Sequence, residues 1–299
     1  LRLEFSLDIE GDTCVSQTIW EAVDVFRHAV SAGAIGELNF PTSLDAGRRV
    51  LKAVGNPNVS VSELAKIVVA EPLLSAKVIR LANSVALNPG NQTVVDVRQA
   101  VLRVGLDPIK ALAMVLIMEQ LRQSQRHSGC RNLADRLWER SVHVAALSYV
   151  LARKLTTLNA DEAMFAGIVT DLGRFYLLSR VADHPVLLED VVVLAETISD
   201  LADDASQMVL DKLNQPTSVV AAVLASRRFS GSVPPATLGD ILFIARAVSP
   251  FRDPFEELDS RLAQAADNAV KLELDQGMVA EVIAASGDEI YSIVIALES

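Results

Sequence analysis

Few side chains in this 299-residue sequence have the type and spacing to do chemistry. Residues 165–178, FAGIVTDLGRFYLL, set Thr170 beside Asp171 on a buried-looking helix, with Arg174 one turn on. A single carboxylate next to a weak hydroxyl is a poor start for a hydrolytic metal site, which gathers several imidazoles and carboxylates around an ion to activate water. The four histidines do not repair this. His28 and His127 lie far from the stretch, His184 precedes Pro185 in an expected turn, and His143 reads as an ordinary helix histidine rather than a displaced metal ligand. Cys14 and Cys130 are too far apart in sequence for a CxxC-type site and read as reduced, buried thiols. Arg227 and Arg228, with Lys212 and Arg246, form either a solvated basic face or an anion site. No glycine-rich phosphate loop, Ser-His-Asp arrangement or activated cysteine is present.

The elements that must position these residues are helical. Apolar residues make up 51% of the chain and aromatics 5%, so the core is built from Ala, Val and Leu, which suits closely packed helices. A net charge of −11 argues against a nucleic-acid partner. The longest apolar run, IKALAMVLIM (109–118), falls short of the ~18 residues of a membrane span and reads as a core helix. Two lone cysteines fit a cytoplasmic protein. The chain starts at Leu1 rather than Met, which leaves room for a longer protein whose upstream part the sequence does not show.

Residues 1–10, LRLEFSLDIE, alternate apolar and polar, which is a strand period. Such a strand needs a partner, in a second copy or a fused domain, and so predicts an association device. A helix is expected over 16–32. SVSE (60–63) is a capping box, and Glu71-Pro72 restarts a helix that ends at Asn83-Ser84. That pair either terminates the helix, Asn tolerating the left-handed conformation, or contacts a ligand. The polar QSQRHSGCRN (123–132) marks a boundary, and Asn159 with Glu162 starts another helix. Ala163, Ala166, Gly167 and Thr170 offer small side chains to a neighbouring backbone. Further helices are expected over 185–202, 205–213 and 217–226, then in the C-terminal portion.

EPLLSAKVIRLANS (71–84), QAVLRVGLDPIKALAM (99–114), LWERSVHVAALSYVLARKL (137–155) and DEAMFAGIVTDLGR (161–174) occur in the order and spacing of a known pattern. In these motifs the chain resembles the HDOD family of bacterial signalling modules, over roughly residues 37–235. The resemblance implies an all-α, two-lobed HD-like bundle, here with a short N-terminal strand. It divides the chain into a strand-and-helix extension (1–36), an N-terminal helical lobe (37–130), a degenerate HD-like lobe (131–235) and a C-terminal helical extension (236–299). The family is related to metal-dependent HD phosphohydrolases, whose first His follows a Trp on a helix and whose adjacent His-Asp pair is joined by later His and Asp residues. Aligned on that pattern, Arg140 stands for the first His, Thr170 replaces the paired His and Asp171 is retained. Asp204 takes the place of a later His, and Arg227-Arg228 that of a His pair.

These replacements predict no metal, no cofactor and no hydrolysis. Two arrangements fit the vacated centre. Either Arg140 stands in for the cation and bonds Asp171 and Asp204, because a buried carboxylate needs a counter-charge, or Asp171 meets backbone groups while Arg140 points to solvent. Arg174 is either a phosphate or partner contact or an ion-pair residue. The expected function is regulatory binding to a signalling protein or a fused upstream domain. A weak phosphohydrolase using Asp171 and His143, or a dimerisation module joined through the N-terminal strand, are the alternatives.

Overall fold

Local sequence signals start most of the helices in the computed structural model, which describes residues 10–31, 45–56, 58–125, 128–230, 234–258 and 276–298. Helix α1 spans Glu10–Ser31 and α2 Asp45–Val54. Ser60 caps α3 (Val61–Val69) in a reciprocal capping box: its hydroxyl accepts the Glu63 N–H and the Glu63 carboxylate accepts the Ser60 N–H. Pro72 opens α4 (Pro72–Ala82), and Asp96 caps α5 (Val97–Val104) by accepting the Gln99 N–H at 2.9 Å. Gly105, at φ +83°, lets α6 (Leu106–Gln123) begin at once without a loop. Leu112, Ala113, Met114, Val115 and Ile117 are all fully buried, so α6 is enclosed on every side as its apolar run predicts.

The second half is built on α7 (Ser128–Leu155), a 28-residue helix that packs against α8 (Ala160–Val169) and α12 (Leu238–Ala247). Asn159 caps α8 by accepting from Asp161 and Glu162 N–H. Helix α9 (Leu172–Val181) pairs with α10 (Val191–Lys212), with a short 3-10 turn (Pro185–Leu188) between them, and α11 (Thr217–Ala225) follows. Short α13 (Pro254–Leu258) lies against α7 and α10, while α14 (Gln276–Ala285) and α15 (Gly287–Glu298) pack on α7. One apolar core runs from Val23 and Phe26 through α6 to Leu297, on both sides of residue 130.

Helix α15 also reaches α4. Lys77 Nζ, with a fully buried side chain, donates to Leu297 O at 2.8 Å and pairs with Glu119 at 3.1 Å. Arg80 donates to Ile295 O at 3.5 Å. Cations thus meet the negative end of the α15 dipole. At its other end Glu289 binds Arg153 at 2.8 Å and Lys154 at 3.4 Å.

The structure bears on four expectations. The described residues hold no strand: residues 1–9 of the expected strand lie outside them, and Glu10 already belongs to α1. The expected gap between 202 and 205 is absent, because Ala202 and Ala205 are buried on the core side of a continuous α10 while Asp203 and Asp204 turn outward. Helix α6 ends at Gln123 and α7 begins at Ser128, so the helices break inside the polar 123–132 stretch. The single helix expected across 165–178 is two helices, broken at Thr170-Asp171.

Candidate functional site: a buried arginine and aspartate cluster

The helix break delivers Asp171 to the centre of the second half. Thr170 ends α8 by returning its hydroxyl to Ala166 O at 2.8 Å, and Asp171 adopts φ −104°, ψ 14° as the N-terminal flank of α9. Two glycines allow the flanking helices to close on this turn. A Cβ on Gly167 would lie 2.6 Å from Ala145 Cα of α7, and one on Gly173 would lie 2.4 Å from Ala202 O of α10. The chain therefore packs backbone against backbone on both sides of Asp171.

Asp171 is 2% exposed, and Arg140 of α7 donates to its Oδ2 at 3.2 Å. Of the two arrangements the sequence allows, the ion pair is the one that forms. Its second acid is not Asp204 but Asp253, just ahead of α13. Arg174 of α9 donates to both acids, to Asp253 Oδ2 and to Asp171 Oδ1 at 3.4 Å. Arg246 of α12 completes the cluster, 4.0 Å from Asp171 Oδ1 and 3.7 Å from Asp253 Oδ2. Asp253 is fully enclosed, and its other oxygen accepts the Phe255 N–H at 3.0 Å, which starts α13. The guanidinium of Arg174 also sits 5.2 Å from the centre of the Phe255 ring.

Burial works against every charge here and is overcome unevenly. It would raise the Asp253 carboxyl, but Arg174, Arg140 and Arg246 hold it well below the ordinary carboxylate range. Burial would lower Arg174, but Asp253 and Asp171 keep it above its usual value. Arg246, by contrast, is pushed down to about 10 by burial and then by Arg140. Glu256, half-buried beside the cluster, is raised by burial and by Asp253. Three arginines thus face Asp171 and Asp253, and they hold Asp253 ionised.

This donor set does not fit the metal of the catalytic HD relatives. Among the described residues no group of three or more His, Cys, Asp or Glu converges to hold an ion. A divalent cation at Asp171 and Asp253 would have to sit among three guanidinium groups already within 4.0 Å of the same oxygens. His143 donates through Nδ1 to Glu139 O at 2.9 Å and packs on Phe251, 4.6 Å between ring centres, as an ordinary helix histidine does.

The other sequence candidates fall elsewhere. Asp204 is exposed on α10. Arg227 pairs with Asp203 at 2.8 Å and Arg228 is exposed, while Arg246 belongs to the buried cluster, so the basic grouping expected around Arg227-Arg228 loses that member. Asn83, at φ −97°, is not left-handed. Its amide clamps the following loop, donating to Val94 O at 2.7 Å and Ile79 O at 3.0 Å and accepting the Val94 N–H at 2.8 Å. Ser84 is buried beside it. Sequence reasoning grouped Arg246 with Arg227 and Arg228 rather than with Arg140, and missed Asp253 altogether. Asp253-Pro254 is a legible helix start, but nothing local shows that its carboxylate turns inward.

Residues 40–226 match the HDOD domain family. Among curated proteins none matches. Similar solved structures include a provisionally named metal-dependent phosphohydrolase from Shewanella amazonensis SB2B, 22% identical, covering 94% of this chain and 100% of its own with a TM-score of 0.70. An HDOD domain protein of unknown function from Geobacter sulfurreducens is 18% identical, covering 93% and 99%, at 0.57. A provisionally named signal transduction protein from Marinobacter aquaeolei VT8 is 17% identical, covering 98% and 68%, at 0.56. At these identities the likeness is one of fold.

Proposed function

The chain belongs to the HDOD domain family, and from that premise we propose that it is a non-catalytic regulatory module, acting by binding a signalling protein or a domain fused to it. The observation that carries this reading is the side-chain set at the vacated centre. Arg140 occupies the position aligned with the first metal-binding histidine, and its guanidinium takes Asp171. A hydrolase would need that carboxylate free for an ion that lowers the pKa of bound water. The provisional names of two similar structures, a metal-dependent phosphohydrolase and a phosphohydrolase, favour the enzyme reading. The guanidinium groups on both buried aspartates weigh against it. A buried Cys130 thiol fits a cytoplasmic site of action, and no helix among the described residues is long and apolar enough to cross a membrane.

Regulation by such a module works through differential affinity: a ligand or partner biases one arrangement of packed helices only as far as it binds that arrangement better. Metal analysis of the purified chain, with phosphoester hydrolysis assayed in added Mn²⁺ and Mg²⁺, tests the reading. The expected result is no stoichiometric transition metal and no turnover above the metal alone. Hydrolysis abolished by Asp171→Asn would overturn it. The dimerisation alternative rests on residues 1–10, and an unchanged solution mass after their deletion removes that stretch from any account of association.

A further inference from the structure

Asp253 is held as a bound anion would be held. Its Oδ2 is approached by Arg174, which donates to it, by Arg246 Nη2 at 3.7 Å and by Arg140 Nη1 at 3.9 Å. Three helices therefore aim guanidinium groups at one oxygen. The set also has donors to spare. The Nε groups of Arg140 and Arg174, on side chains only 5% exposed, have no hydrogen-bond partner among the described residues. Three arginines face Asp171 and Asp253 with the half-buried Glu256 beside them, so a phosphate monoanion in place of the Asp253 carboxylate would keep the charge count of the cluster. A tetrahedral oxyanion also brings more acceptor positions than a carboxylate, and guanidinium groups bind phosphate in forked pairs.

The occupant and part of the socket come from different stretches. Arg140, Asp171 and Arg174 lie within the matched residues 40–226, whereas Arg246 and Asp253 lie beyond them. We propose that Arg140, Arg174 and Arg246 form an oxyanion socket filled by the chain's own Asp253, and that inorganic phosphate or a phosphomonoester takes the socket when that carboxylate is withdrawn. The C-terminal extension is then an internal ligand competing for the emptied centre. This does not depend on the signalling reading, because it concerns which anion the arginines accept.

The test is thermal unfolding of the full chain carrying Asp253→Ala, in about 10 mM inorganic phosphate against chloride of equal ionic strength, and separately in phenyl phosphate. Phosphate is expected to raise the melting temperature of the variant by about 3–6 °C more than that of the unmodified chain. Adding Arg246→Gln should remove the gain. A similar gain with phenyl phosphate assigns the socket to monoesters as well; a gain with inorganic phosphate alone assigns it to the free ion. A shift no larger than that of the unmodified chain, or one that survives Arg246→Gln, overturns the proposal. If Asp253→Ala does not fold, Asp253→Ser keeps a hydroxyl acceptor for Phe255 N–H at the start of α13 while emptying the socket of its carboxylate, and the same two results decide.

Discussion

Removing the charge of Asp171 should destabilise the protein more than removing that of Arg140, although the two groups form one ion pair. At 3.2 Å and an effective dielectric of about 20, their gross attraction is about 5 kcal/mol. Most of that offsets the desolvation of two side chains that are 5% and 2% exposed, so the pair itself adds little net stability. Breaking it is different. Asp171→Asn leaves three buried guanidinium groups facing Asp253 alone, and a loss of about 3–5 kcal/mol is expected. Arg140→Met leaves two arginines against two aspartates and should cost less. The double replacement Arg140→Met with Asp171→Leu removes one charge of each sign and leaves the net charge of the cluster unchanged. It should therefore fall short of the summed single losses by more than about 1.5 kcal/mol. Urea unfolding with an unchanged slope measures all three variants. Single losses below about 1 kcal/mol, the range of an exposed pair, or strict additivity in the double variant, would refute the reasoning.

Three further expectations follow from other parts of the fold. Gly173→Ala should destabilise by at least about 1–3 kcal/mol, because its Cβ would lie 2.4 Å from Ala202 O and 2.6 Å from Ser206 N; a melt unchanged from the parent would show that α9 and α10 can separate freely. Asn83→Ala should cost about 1–3 kcal/mol by leaving the Val94 N–H and C=O without partners, and faster hydrogen exchange at Val94 would locate the loss. Burial alone would raise the Asp240 carboxyl, but hydrogen bonds from Thr237 and Ser230 lower it below 3.8, so its contribution is present above that pH and lost as pH falls through the folded value. Asp240→Asn should accordingly flatten the stability profile in acid, and an acid limb as steep as the parent's would contradict this assignment.

What the sequence made legible was local. Ser60 and Glu63 are three residues apart and close a capping box that depends on nothing distant, and Asn159 caps α8 in the same way. The family pattern brought Arg140 and Asp171 to one centre but left open whether they pair, which the fold decides, and the small residues around Gly167 announced a close helix approach. Asp204 shows the limit of that method. On a continuous helix each residue turns about 100°, so a small error in alignment exchanges a buried face for an exposed one. The strand period of residues 1–10 lies almost wholly outside the described residues. The role of Asp253 and the true partners of Arg246 were illegible for another reason: both groups acquire meaning only when α12 and α13 fold back onto α7, which is long-range packing without a local signal.

The position of Asp253 bears on how this protein can be cut. A fragment trimmed to residues 40–226 would keep Arg140, Arg174 and Asp171 but lose Arg246, Asp253 and the α15 carbonyl that receives Lys77. Two buried cations would then share one aspartate, and the amine of Lys77 would retain only Glu119. The matched span therefore lacks partners that its buried cations use in the full chain, and binding measured on the shorter piece would describe a molecule with its centre left open.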